Sequence, residues 1–340
     1  MKNSFLRLAL LLCVLFSLGY ANNENVVNVY SHRHYATDLQ IFNLFTKETG
    51  IKVNLVQAKA KELIKRIQAE GSRTPADVLI TVDAGNLATA KSDGLLQAVH
   101  SKYLDKTIPP YLRDKDDEWF GITERARVTV IAKKNIGKIH IKYYEDLAKP
   151  KYKGMIMVRS SSNIYNQSLL AAMIAHHGKA FALKWAKGIV ANMTRSPRGN
   201  DIYQVAAVGS GIGKIAIVNT YYVGKMSVSK NFTEQMAEAQ SKVIFPHFKN
   251  GGTHVNISGI ALIKYSKHKK NAIRFMKFLL SKEAQKLFAH KNFEYPILKS
   301  VKSAKVVKGF GKFKRDTIPL SLLGKYNKDA VEIFDTVGWR

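Results

Sequence analysis

Apolar, β-branched runs of strand length recur along the chain. They lie at 26–30 (VVNVY), 52–58 (KVNLVQA), 77–83 (DVLITVD), 127–132 (RVTVIA), 154–159 (GMIMVR), 214–219 (KIAIVN) and 257–264 (ISGIALIK). Between most of them the apolar spacing becomes helical. In TDLQIFNLFTKETG, 37–50, Leu39, Phe42, Leu44 and Phe45 fall broadly on one face. Thr37 and Gln40 have capping-box spacing there, and Gly50 supplies a stop. AKELIKRIQAEG (60–71) again ends in glycine, and NQSLLAAMIAHHG (166–178) and the long pattern 268–291 are further helices. Repeated strand–helix alternation predicts an α/β protein with largely parallel sheets. In such sheets ligands sit beyond the carboxyl ends of strands. No internal repeat or low-complexity linker breaks the pattern, and the Lys- and Gly-rich stretch 299–315 reads as a surface connection.

The first residues change the picture of where the chain works. Lys2 and Arg7 precede an apolar run from Leu8 to Leu18 and then Gly19-Tyr20-Ala21. A cationic start, a short apolar core and small residues at a cleavage point predict a secretory signal over 1–21. The run is too short to span a bilayer. Cys13, the only cysteine, lies inside it behind Leu12, which does not suit a lipoprotein site. The exported chain therefore has no disulfide, and any metal site must draw on His, Tyr, Asp or Glu.

Charge narrows the partners. The formal net charge is +29, carried by 41 lysines and 13 arginines along the whole chain. Nucleic-acid readers lean on arginine and on clustered patches, so no nucleic acid is expected. Loose attraction to anionic membrane surfaces fits scattered lysine better.

The candidate chemistry collects where strands end. SHRHY (31–35) follows the first run, SSSNIYNQ with Tyr165 follows GMIMVR, and Tyr221–Tyr222 follow KIAIVN. On a strand, adjacent tyrosines point to opposite faces. At a helix start they sit about 100° apart and can converge. Each tyrosine alone is commonly an amphipathic residue at a core's rim. The combination of His-Tyr, Tyr and Tyr-Tyr, all after strands, is the signal. His176, His177 and His290 lie at predicted helix ends, where a cationic ring suits the dipole.

The segments VYSHRHY, ADVLITVDAGNL, RARV, SSSNIYNQSLLAAMI, VNTYYVG and GGTHVNISGIALIK resemble, in order and spacing, the ferric-ion-binding periplasmic proteins of bacterial ABC iron transporters. The resemblance covers nearly the whole exported chain. It implies the type II periplasmic binding protein fold: two lobes, each a mainly parallel sheet flanked by helices, closing on a cleft. By the resemblance, lobe 1 is 22–126 plus 252–305 and lobe 2 is 127–251 plus 306–340. The implied iron ligands are His34, Tyr35, Tyr165, Tyr221 and Tyr222. Fe3+ is then cargo, passed by a monomer to an inner-membrane permease and its ATPase, with no enzymatic step. Some members use a glutamate near the start of the second helix. Lys61 stands there in this chain, beside Glu62, so the resemblance is to the subgroup with one His and four Tyr. Four phenolates against Fe3+ leave one negative charge, which Arg127, Arg33 and Lys61 are placed to offset. Arg127 reads equally well as a salt bridge between lobes.

The chemistry agrees with that ligand set. Phenolate is a hard anionic donor that titrates near pH 10, so only a strongly polarising cation displaces its proton near neutrality. Mg²⁺ and Ca²⁺ take carboxylates, carbonyls and water, and Zn²⁺ prefers His and Cys. Two rival classes stand beside this one. A binder of an organic anion or polyamine would use the tyrosines as aromatic walls. A secreted non-haem iron enzyme would need two His and a carboxylate, a set not found at suggestive spacing.

Overall fold

The computed structural model describes residues 25–340; the predicted signal over 1–21 lies outside the described residues. Ten strands join one sheet system: β1 (Val26–Ser31), β2 (Lys52–Gln57), β3 (Val78–Val82), β4 (Leu96–Gln97), β5 (Trp119–Ala132), β6 (Ile156–Met157), β7 (Ile215–Asn219), β8 (Ser241–Ile244), β9 (Val255–Ile263) and β10 (Tyr295–Pro296). Each of the seven apolar runs holds one of these strands. The main path runs β2-β1-β3-β9-β5-β7-β6.

Parallel pairing holds β1 to β2 and β3, and β6 to β7. β9 runs antiparallel to β3 and β5, and β5 runs antiparallel to β7 and β8. The sheets are therefore mixed: strands reached by helical crossovers are parallel, as the alternation predicts, and the two strands shared between regions reverse direction. β5 is the pivot. Up to Ala126 it pairs with β9, and from Arg127 onward with β7. All fourteen of its residues are buried. Two alternating residues of this strand, Arg125 and Arg127, share one side of the pleat.

The chain leaves the β1–β4 half along β5, builds β6–β8, and returns through residues 253–254 into β9. Thr253 pairs there with Arg315 in a bridge. The C-terminal helices Ser321–Lys325 and Asn327–Val337 then pack on the long helix Ile164–Asn192, and Ser321–Lys325 also touches the helix Ala84–Ser92. No helix among the described residues is long and apolar enough to cross a membrane.

Helix ends differ from the sequence reading in instructive ways. The first helix is Ala36–Thr49, so the expected Thr37 cap lies inside it, and Tyr35 is the capping residue with no side-chain bond. Ile41, Phe42 and Phe45 face the core while Leu39 is 50% exposed. Gly50 stops the helix at φ 70°, its N–H bonded to the Thr46 carbonyl. The pattern expected to end at Gly178 does break there (φ 80°, ψ 166°), but helix resumes to Asn192. His176 and His177, before that kink, bond Asp316 (2.8 Å) and Glu145 (2.6 Å), so carboxylates rather than a helix dipole hold them. The long 268–291 pattern divides into Lys269–Phe278 and Lys282–Lys291, with the Ser281 hydroxyl accepting from the Ala284 N–H.

Candidate metal centre

Three strand ends supply the tyrosines. β1 ends at Ser31, whose Oγ accepts from the Arg33 N–H at 3.0 Å and turns the chain toward Tyr35. Tyr165 is the second residue of the helix Ile164–Asn192, and its N–H donates to the capping Asn163 side chain at 3.1 Å. β7 runs directly into the helix Thr220–Met226, which carries Tyr221 and Tyr222 in its first turn. Helical geometry sets the tyrosine pair side by side, with ring centroids 4.2 Å apart.

Tyr221 is the centre of the cluster. Its hydroxyl is 3.1 Å from that of Tyr165. Tyr35 meets it edge-on, centroids 6.4 Å apart. Tyr165 and Tyr221 are buried, and Tyr35 and Tyr222 are half-buried. His34 is exposed at the rim, its ring centroid 5.3 Å from that of Tyr35. The structure thus brings the four tyrosines together from residues far apart in sequence and leaves His34 at the margin. Lys61 is exposed on the first turn of the helix Ala60–Glu70 and, among the described residues, makes no hydrogen bond, ion pair or cation–ring contact with the tyrosines. Glu62, also exposed, is tied back to Lys59.

Cations surround the phenols. The Arg33 guanidinium lies 4.9 Å from the Tyr35 ring centre. Arg125, Arg127 and Arg159 lie 5.3, 5.8 and 5.5 Å from that of Tyr165. The Lys225 ammonium is 3.7 Å from the Tyr35 ring centre and 5.4 Å from that of Tyr221. The sequence reading missed Arg125, Arg159 and Lys225. The first shows in the alternation of RAR, and Lys225 stands four residues after Tyr221, one helical turn on.

Four of these five cations have acid partners. Arg33 bridges Asp38 (2.9 Å) and Glu294 (3.0 Å). Arg127 and Arg159 share Asp201, at 2.8 and 3.6 Å, and Arg125 lies 3.5 Å from Asp83. Arg127 is therefore an ion-paired residue and also a cation beside Tyr165. Lys225 has no carboxylate within ion-pair distance among the described residues. Both Nη atoms of Arg125 are buried without a hydrogen-bond acceptor.

Burial raises the pKa of Tyr35, Tyr221 and Tyr222 above the ordinary phenol value, and neighbouring tyrosines add to the effect. Without metal these three phenols stay protonated at neutral pH. Burial also lowers Lys225 to about 8, where it remains mostly cationic at neutral pH. Among the described residues, no group of three or more His, Cys, Asp or Glu is placed to hold a metal ion. The phenol cluster is the donor set that can take a hard, highly charged cation.

The sequence model for bacterial extracellular solute-binding proteins matches residues 73–311. The chain belongs to that family. It is 44% identical to iron uptake protein A1 of Synechocystis over 317 residues, 93% of this chain and 88% of that protein. Among solved structures it is similar to the ferric binding protein from Campylobacter jejuni, with a TM-score of 0.86, 47% identity and coverage of 92% of this chain and 100% of the other. The Trichodesmium protein in complex with iron and citrate matches with a TM-score of 0.87, 46% identity and coverage of 93% and 100%. These matches make the fold the two-lobed α/β architecture of type II periplasmic binding proteins. The relatives are named for taking up or binding iron, and none is an enzyme.

Proposed function

We propose that this protein is the periplasmic ferric-iron carrier of an ABC uptake system. Tyr35, Tyr165, Tyr221 and Tyr222 are its phenolate ligands and His34 is the fifth. The iron passes from the monomeric carrier to an inner-membrane permease driven by its ATPase. The observation that carries this reading is the convergence of four phenols from three strand ends onto Tyr221, ringed by cations and without a carboxylate cluster. The lobes are 22–126 plus 252–305 and 127–251 plus 306–340; the change of partner along β5 between Ala126 and Arg127 supports the first boundary. Tyr35 and the other three tyrosines then face each other across the cleft. Four phenolates exceed the charge of Fe3+ by one, and the unpaired Lys225 ammonium offsets it.

Loading the apo protein with ferric citrate is expected to give one iron per chain and a broad visible phenolate band. Tyr221→Phe and Tyr222→Phe each keep the ring and remove one oxygen, so each should shift the band and speed iron loss to a chelator. The raised pKa values of Tyr35, Tyr221 and Tyr222 mean that each of these phenols gives up a proton when iron enters, and loading of the four-tyrosine site near pH 7 should release about three or four protons per iron. Retention should weaken steadily as pH falls. Carboxylate ligands, already ionised, would release fewer than about two and hold iron down to about pH 5.

The Nη donors of Arg125, ion-paired with Asp83 but without a hydrogen-bond acceptor among the described residues, favour a second reading, a carrier of organic anions that holds no metal. A colourless protein that binds citrate without iron would establish it.

A further inference from the structure

The positive charge is not evenly spread. Residues 239–315 contain 18 lysines and arginines and two acids, Glu283 and Glu294, which is more than half of the net +29. Glu294 is buried against Arg33. All sixteen lysines of this stretch are exposed. Among the described residues none of these lysines is in an ion pair, whereas Arg315 is bound to Glu124 and His268 lies 3.0 Å from Asp77.

The fold gathers a large part of this charge on one surface. Along the helix Lys269–Phe278, Ala272, Phe275 and Met276 are buried, and Lys270, Arg274 and Lys277 are exposed at i, i+4 and i+7. The helix Lys282–Lys291 follows after a three-residue break, with Lys282, Lys286 and His290 exposed at i, i+4 and i+8. Lys286 and His290 then form one wall of a groove of about 530 Å³ whose other wall carries Lys302, Lys305 and Lys308. The second helix thus carries its exposed cations into the groove, and the first precedes it by three residues. At the entry to the first helix, Tyr265 is 47% exposed beside Lys264.

We propose that this face docks on an anionic phospholipid bilayer. Like charges repel one another, and the exposed Glu283 is the one acid beside them on these two helices, so the face gains from an external negative surface. Lysine is a hydrated point charge on a flexible stem, suited to a diffuse plane of phosphate groups; a defined acidic site would call for the planar fork of arginine. Juxtamembrane lysines contribute about 1 kcal/mol each near such a surface. An exposed tyrosine beside them suits the headgroup layer. The contact is electrostatic and reversible, and it confines a carrier to the plane of its membrane partners.

The test is co-sedimentation of the exported chain with vesicles of phosphatidylcholine, alone or mixed with phosphatidylglycerol, at low ionic strength. One variant changes Lys270, Lys277, Lys286, Lys302 and Lys305 to Gln. A control variant changes Lys65, Lys151, Lys184, Lys187 and Lys328 to Gln, losing the same charge elsewhere. The native chain and the control should bind mixed vesicles within about threefold of each other, and neither should bind phosphatidylcholine. The face variant should bind at least about tenfold more weakly, consistent with five lost lysine contacts. Iron loading, read by the visible band, should be unchanged in both variants and reports that each has folded. Equal loss in the two variants would assign the effect to net charge and overturn the face. Absence of binding to mixed vesicles would overturn the bilayer, and retention on polyaspartate beads in that case would assign the face to an acidic protein.

Discussion

The cations around the tyrosines and those of the C-terminal face obey opposite rules. In the cleft, Arg33, Arg125, Arg127 and Arg159 are matched by Asp38, Glu294, Asp83 and Asp201. On the face, the exposed Lys270, Lys277, Lys282, Lys286, Lys302, Lys305 and Lys308 form no ion pair among the described residues. Water is the difference. A buried charge without a partner costs several kcal/mol, whereas an exposed one is solvated and screened. Pairing in the cleft also leaves the arginines fixed beside the phenols, so the field that assists ionisation is built in before any metal arrives. Lys225 breaks the rule of its own region, which marks it as a residue retained for the bound state at the expense of the free one.

The largest expected contrast comes from removing one cation of each kind. Arg33→Met leaves Asp38 and Glu294 buried without their partner and should cost about 3–5 kcal/mol of stability, measured as a fall in the urea midpoint. Should it cost less than about 1 kcal/mol, the buried pairing is not what holds the β1 end in place.

A smaller effect of opposite sign is expected at Lys225. Its folded pKa lies below the ordinary lysine value, so its charge opposes folding at neutral pH, and that cost is relieved as pH rises from about 8 toward the unfolded value. Lys225→Met should therefore stabilise the apo protein at pH 7 by roughly 1–2 kcal/mol, after allowing for water at the cleft. It should weaken iron retention at the same time. Calorimetry of the apo protein beside chelator competition would show both, and a variant less stable and unchanged in iron retention would refute the role.

Smallest of all should be Lys277→Gln. With no partner to lose, its stability should move by less than about 0.5 kcal/mol. Iron retention should respond little to added salt, whereas vesicle binding by the face should fall steeply.

Much of this was legible in the chain. The apolar runs located seven strands, and the tyrosines after three of them located the cluster, because a strand end followed by a helix start is a local pattern. Pairing between distant residues leaves no such period. The first half of β5 lies outside the apolar run at 127–132 because it carries Glu124 and Arg125, which are buried beside Arg315 and Asp83. Lys61 stands where some family members carry a glutamate and is expected to offset charge at the site, yet it is exposed on the first turn of its helix. Leu39 looked like core from its hydrophobicity, and Ile41 faces the core together with Phe42 and Phe45.

The place of β9 has a consequence for the order in which the chain is made. It lies between β3 and β5 and is the neighbour of both, yet it begins at Val255, about three-quarters of the way along. A chain emerging from the ribosome therefore has β1 to β5 long before it has the strand that joins them. Until then the edge of β3 and the first half of β5 stay open, and the half built on β1 to β4 cannot join the rest of the sheet. That delay favours threading through a translocation pore, which requires an unfolded chain, and it makes the last quarter of the sequence the step that commits the protein to its folded form on the far side.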